Sequence, residues 1–142
     1  MVITKSTHTV PIGTPVQIGT AGRGVAALMK MEKPKVSRNR LSKGYGYPPA
    51  RGYYVTFPVK ILNDGEDSLV IDRLDFFVRI PGHGKTNTDG GNAPYSGAKV
   101  QLDTTPLTTG ESVSNFLTFD VSVPHGKFVY GPGGKVSVAW RF

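Results

Sequence analysis

Several groups of residues in this sequence have side chains and spacings that could do chemistry. Pro81-Gly82-His83-Gly84-Lys85-Thr86 resembles the end of a phosphate-binding loop, in which backbone N–H groups cradle a phosphate and the lysine neutralises it. The full pattern needs a further glycine at position 79, which is Arg, and a helix after Gly-Lys-Thr. Asn87-Thr88-Asp89-Gly90-Gly91 follows instead, so a polar turn is expected there. Ser96, Ser112 and Ser114 are possible nucleophiles, but none stands in a G-x-S-x-G elbow. His8, His83 and His125 are the candidate bases; the last two sit beside glycine in expected turns, and none has an orienting partner in the sequence. Asp64, Glu66, Asp67, Asp72 and Asp75 could offer oxygens to calcium, yet they lack the D-x-[DN]-x-[DN]-G spacing. A solvated turn, with Arg73 neutralising part of it, is the expectation. With no cysteine there is no disulfide, thiolate site or thiol nucleophile. These residues assign no catalytic, cofactor-binding or metal site, and the chain is expected not to be an enzyme.

The group with the best claim to a function is basic and aromatic. Arg23 to Arg51 contains eight Lys or Arg against the single acid Glu32, so this stretch alone carries the net +7 of the whole chain. Lys33, Lys35, Arg38, Arg40, Lys43 and Arg51 are interleaved with Tyr45 and Tyr47, and Tyr53 and Tyr54 follow. Cations alternating with aromatic rings grip anionic polymers by charge and stacking. These eight residues, Lys33 to Arg51, are the candidate contacts for a polyanion or a partner. The alternative is a solvated loop, the ordinary fate of a charge run.

The elements that must carry these residues read as short strands. Gly and Pro together make about a fifth of the 142 residues, spread as punctuation between apolar runs. Val16 and Ile18 alternate with polar neighbours, and Val25, Ala27, Met29 and Met31 share a second face. Tyr53, Val55, Phe57, Val59 and Ile61 form the strongest period-two run, which ends at Asn63-Asp64-Gly65. Pro58 inside it lacks a ladder donor and predicts an edge or a bulge. The inward parity of Leu69 and Ile71 switches to Leu74, Phe76, Val78 and Ile80, which demands a break near Asp72 and Arg73. Further strands are expected around Val113 to Val123, at Phe128 and Tyr130, and from Val136 to Phe142. The aromatic residues Phe57, Phe76, Phe119 and Trp140 are core candidates. Residues 33–52 and 81–99 read as two long loops, and residues 1–15 as a flexible tether or loosely held first strand. The expected fold is all-β, an immunoglobulin-like antiparallel β-sandwich of seven to eight strands, forming a single domain over 16–142.

The order of these features resembles a known family. Gly52 to Asn63 has the form G-x-Y-V-x-F-x-V-x-I-x-N, and Leu74 to Ile80 is an apolar-aromatic strand. Leu107 to Ser112 reads L-x-x-G-E-S, Phe116 to Val121 reads FLTFDV, and a terminal strand carries Trp140. Over residues 14–142 the sequence is similar to the DUF4352 or telokin-like (MPT63-like) family of exported bacterial proteins and lipoproteins. The resemblance implies export from a Gram-positive cell, an extracellular or cell-envelope location and no established catalytic activity. No apolar run approaches the roughly 18 residues that cross a bilayer. The opening MVITKSTHTVPIGTP has no signal-peptide core. Export therefore implies a signal or lipid anchor removed from upstream of Met1, and the cytoplasm is the alternative.

Three functions follow as expectations. The first is a non-catalytic exported interaction module that binds a protein or surface polymer through its loops. The second is a polyanion binder that uses residues 23–51 on nucleic acid, teichoic acid or acidic lipid, nucleic acid being the less favoured partner. The third is a structural subunit of a surface or virion assembly.

Overall fold

The computed structural model describes residues 2–4, 9–98, 101–134 and 136–142. Thirteen strands occur among them: Val2–Thr4 (β1), Thr9–Pro11 (β2), Val16–Ile18 (β3), Ala27–Met31 (β4), Lys35–Ser37 (β5), Tyr53–Asn63 (β6), Leu69–Ile71 (β7), Phe76–Ile80 (β8), Gly84–Thr86 (β9), Thr105–Leu107 (β10), Ser112–Val121 (β11), Lys127–Tyr130 (β12) and Val138–Arg141 (β13). One sheet runs β1-β3-β4-β6-β11, with β5 also on β6; the other runs β2-β13-β12-β8-β9, and β7 and β10 form a separate pair. The two large sheets pack face to face as an immunoglobulin-like β-sandwich. The count exceeds the expected seven to eight because the extra strands are three-residue pairings too short to show a period.

Alternation explains which side chains meet between the sheets. Val55, Phe57, Val59 and Ile61 of β6 share one core with Leu117, Phe119 and Val121 of β11 and with Phe76, Val78, Phe128, Val138 and Trp140 of the facing sheet. Phe128 lies at its centre, edge-on to Phe57 at 4.3 Å and within about 6 Å of Phe119, Phe76 and Trp140. Trp140 is fully buried, and its indole N–H donates to the Thr14 carbonyl at 2.9 Å.

The exceptions to the expected inward faces all lie outside strands. Val25 (58% exposed) is in the turn before β4, Leu74 (50%) in the 3₁₀ turn Arg73–Asp75, and Val123 (39%) beyond the end of β11. That 3₁₀ turn is the break required between Ile71 and Phe76: β7 belongs to the small sheet and β8 to a large one. Val136 packs on Phe77, Val129 and Ala139, across the sheet from the main core.

Pro58 does not mark an edge of the sheet, since β6 is paired on both sides. On one side its partner changes from β4, ending at Met31↔Val59, to β5, starting at Lys35↔Thr56. Pro58 faces the gap between them, where its carbonyl accepts from the Glu32 N–H at 3.0 Å and no ladder donor is needed. The residues expected as a tether or a loosely held first strand contribute pairing. β2 lies parallel to β13, with Val10 buried, and the chain then crosses between the sheets: Ile12 N–H donates to Arg141 of one and Gly13 N–H to Met31 of the other. Prolines 11 and 15 hide this strand from a reading by periodicity.

Truncating Phe128 to Ala removes a ring that touches both sheets, and we expect a loss of about 3–5 kcal/mol. Urea unfolding followed by Trp140 fluorescence measures it; a loss below about 1 kcal/mol would show that the core does not centre on this ring.

Candidate functional site

The outward face of β6 and β11 should be wet, yet at one end it is dry. Tyr54 and Asp120 stand opposite each other there, both fully buried, beside Thr56 and Thr118, whose hydroxyls meet at 3.0 Å. The two long loops cover them. The Asp120 carboxylate accepts N–H bonds from Ala50 at 2.7 Å and Arg51 at 3.0 Å in the first loop, and from Asn92 at 2.8 Å in the second. A buried charge is tolerable only when so bonded. The approach is close enough to require glycine at position 91: its φ is +55°, and a Cβ there would lie 2.5 Å from Asp120 Oδ2. The Tyr54 hydroxyl donates to the Tyr47 carbonyl at 2.7 Å, with the Asn92 carbonyl 3.2 Å away. Burial, and then the charge of Asp120, push the Tyr54 phenol up to about 12.

The loops also hold each other. Leu41 N–H donates to Ser96, Tyr47 N–H to Tyr95, and the Asn92 amide to the Pro48 carbonyl. Gly46 and Gly97 allow the backbones to touch, since a Cβ on either would come within 2.8 Å of the opposite chain. The result is one platform on which Tyr45, Tyr47 and Tyr95 stand 61–62% exposed, with the Tyr47 and Tyr95 rings edge to face at 6.2 Å. The three tyrosines and Pro94 line a shallow groove of about 280 Å³.

The expected contact residues separate into different environments. Tyr45 and Tyr47 lie on the platform, and the Arg40 guanidinium bonds the Lys43 carbonyl at 2.9 Å in the same loop. Lys33 and Lys35 are exposed, the latter on β5, which the expectation of a continuous loop over 33–52 had not included. Arg38 stacks over the Tyr53 ring at 5.1 Å. Arg51 is tied down: its side chain donates to Thr86 Oγ1 at 2.7 Å and to the Asp120 carbonyl at 3.3 Å. Tyr95 and Asp120 were missed by sequence reasoning. Tyr95 lies far from the basic run, and Asp120 in FLTFDV reads as an ordinary outward polar position.

The other candidates are dispersed. Pro81 to Thr86 forms the hairpin between β8 and β9, with no helix after it. His83 and His125 are exposed, and His8 lies outside the described residues. The acids serve turns: Asp64 accepts from Gln17, Glu66 from the Gly24 N–H and Asp72 from the Leu74 N–H. Arg73 turns away from them to Asp89 at 2.8 Å and Asp103 at 3.7 Å. No three His, Asp or Glu side chains gather into a metal-binding group among the described residues.

No protein-family model matches the chain, and no curated protein sequence matches it at a significant level. Two solved structures share the fold. The secreted protein MPT63 of Mycobacterium tuberculosis superposes with a TM-score of 0.65 at 16% identity, over 94% of this chain and 96% of that one. The candidate lipoprotein ycdA of Bacillus subtilis gives a TM-score of 0.56 at 18% identity, over 87% of this chain and 37% of that one.

Two outcomes follow from the buried floor. Asp120→Ala strands three N–H groups beneath the loops and should cost about 3 kcal/mol, with faster hydrogen exchange at Ala50, Arg51 and Asn92. Unchanged exchange at those amides would show that the carboxylate does not hold the loops. Tyr54 and Tyr130 are both pushed up to about 12 in the folded chain, by burial first and then by Asp120 and Asp75 respectively. An unfolded tyrosine releases its proton near pH 10. Between about pH 10 and 12 the folded state thus binds more protons, so stability should fall as pH rises through that window. Tyr54→Phe with Tyr130→Phe should flatten the fall in a pH series of urea midpoints, whereas an unaltered slope would place its origin elsewhere.

Proposed function

We propose that the chain is a non-catalytic interaction module of the extracellular space or cell envelope, which binds a protein or surface polymer through its docked loops. The observation that carries this reading is the tyrosine platform: three exposed rings held by two mutually bonded loops over a buried carboxylate. Exposed tyrosine on a rigid support offers contact area at small entropic cost, which is why it is enriched where proteins bind. Arg40 and Lys43, exposed in the same loop as Tyr45 and Tyr47, supply charge. The secreted and candidate lipoprotein neighbours support an exported setting and an MPT63-like sandwich.

A second reading has the exposed cations Lys33, Lys35, Arg38, Arg40 and Lys43 binding a polyanion, favoured by the absence of any acid between Lys33 and Arg51.

Purified protein should co-sediment with envelopes isolated from its source. The triple variant Tyr45→Ala, Tyr47→Ala, Tyr95→Ala should reduce the bound fraction by about tenfold or more while the urea midpoint stays near that of the parent. Equal sedimentation of parent and variant would remove the platform from the binding site. Cell fractionation that recovers the chain only from the cytoplasm would overturn the envelope assignment.

A further inference from the structure

A second charged feature lies on the outer face of the five-stranded sheet. In the register of the five-stranded sheet, Lys85 of β9 stands directly across from Arg79 of β8, Arg79 from Lys127 of β12, and Lys127 from Arg141 of β13. Arg79, Lys127 and Arg141 each have a strand neighbour in the core (Ile80, Phe128 and Trp140), and Lys85 reaches over Phe77 on the other side of the sheet from that core, so these four side chains project from the outer face, and all are exposed. Strands spaced about 4.8 Å apart place them in one row about 14 Å long. None of the five strands contains an acidic residue, and none of the four cations enters an ion pair among the described residues.

Like charges directly opposite on neighbouring strands are destabilising, so the arrangement asks for an explanation. Guarding a sheet edge accounts for Lys85 alone, because Arg79, Lys127 and Arg141 lie on strands paired on both sides. The cations are also held in place. Lys85 Nζ and the Arg79 guanidinium both sit over the Phe77 ring, at 4.4 and 5.6 Å from its centre, which gathers two positive groups above one apolar base.

We propose that this row is a binding track for a single extended phosphodiester chain. A linear array suits a linear partner. Lys and Arg alternate along it, so each guanidinium can fork onto the two free oxygens of one phosphate while the adjacent ammonium neutralises the next. Among the described residues the exposed aromatic rings, Tyr45, Tyr47, Tyr95 and Phe116, are on the six-stranded sheet or the loops above it. The track therefore provides charge without stacking, which favours a chain that carries no bases. It uses none of the platform residues, so either surface can fail its test without the other.

The probe is a glycerol-phosphate oligomer long enough to span four strands, with affinity read by calorimetry over a salt series. The parent should bind with log K falling against log salt at a slope of about −3, as four contacts to a single flexible chain require. Arg79→Gln with Lys127→Gln should weaken binding at low salt by about tenfold or more and roughly halve the slope. Its Tm should match or exceed that of the parent, since like-charged neighbours have been removed. The triple tyrosine variant should bind as the parent does. Undiminished binding by Arg79→Gln, Lys127→Gln overturns the track. Equal affinity for a polyglutamate of matched charge overturns the phosphate assignment, and binding to phosphatidylglycerol vesicles without binding to the oligomer would replace the polymer with a membrane.

Discussion

The buried carboxylate of Asp120 is the constraint on which the docked loops of the molecule depend. An ionised group removed from water must find its hydrogen bonds within the protein, and here the donors come from two loops some forty residues apart in sequence. The bonds act in both directions. They make burial of the charge tolerable, and they fix where Ala50, Arg51 and Asn92 lie. Tyr54 completes the floor by donating to the Tyr47 carbonyl. Segments of more than a dozen residues without regular structure are ordinarily the mobile parts of a domain. These are anchored from below and to each other, so their exposed rings are presented in a set geometry.

Much of the sandwich was legible because burial follows a period of two. The run from Tyr53 to Ile61 and the parity of Phe76, Val78 and Ile80 both match the observed core. The demand for a break near Asp72 was also sound, because a one-residue shift turns every side chain over. What escaped was information that alternation does not carry. The three-residue strands β2, β5 and β10 are defined by partners far away in the chain, and Pro58 reads as an edge or a bulge until its neighbour is seen to change beside it.

The candidate site was half legible for the same reason. Tyr45 and Tyr47 stood out within a basic run, but Tyr95 reaches them only through loop docking, and Asp120 looked like a residue facing water. Charge was the most misleading quantity. Summed along the sequence, the residues outside 23–51 are balanced, with nine cations and nine acids. In space they are unevenly placed: eight of the nine acids lie outside the strands and Asp120 lies on β11, while Arg79, Lys85, Lys127 and Arg141 form one row on strands that contain no acid. The platform stands on the loops over the six-stranded sheet, while the cationic row crosses the outer face of the five-stranded sheet, its Lys85 end meeting Arg51 and Asp120 around one cleft.

The parallel pairing of β2 with β13 has a consequence for how the molecule comes into being. The strand near one end of the chain finds its partner near the other, and the Trp140 indole reaches back across 126 residues to Thr14. Synthesis delivers residues in order, so Thr9–Pro11 must wait unpaired until Ala139–Arg141 have emerged. Such long-range closure is slow, and an unpaired edge is exposed to wrong partners while it waits. The prolines at 11 and 15 and the short length of β2 are suited to that interval, because they make a poor template for any strand except the one that arrives last.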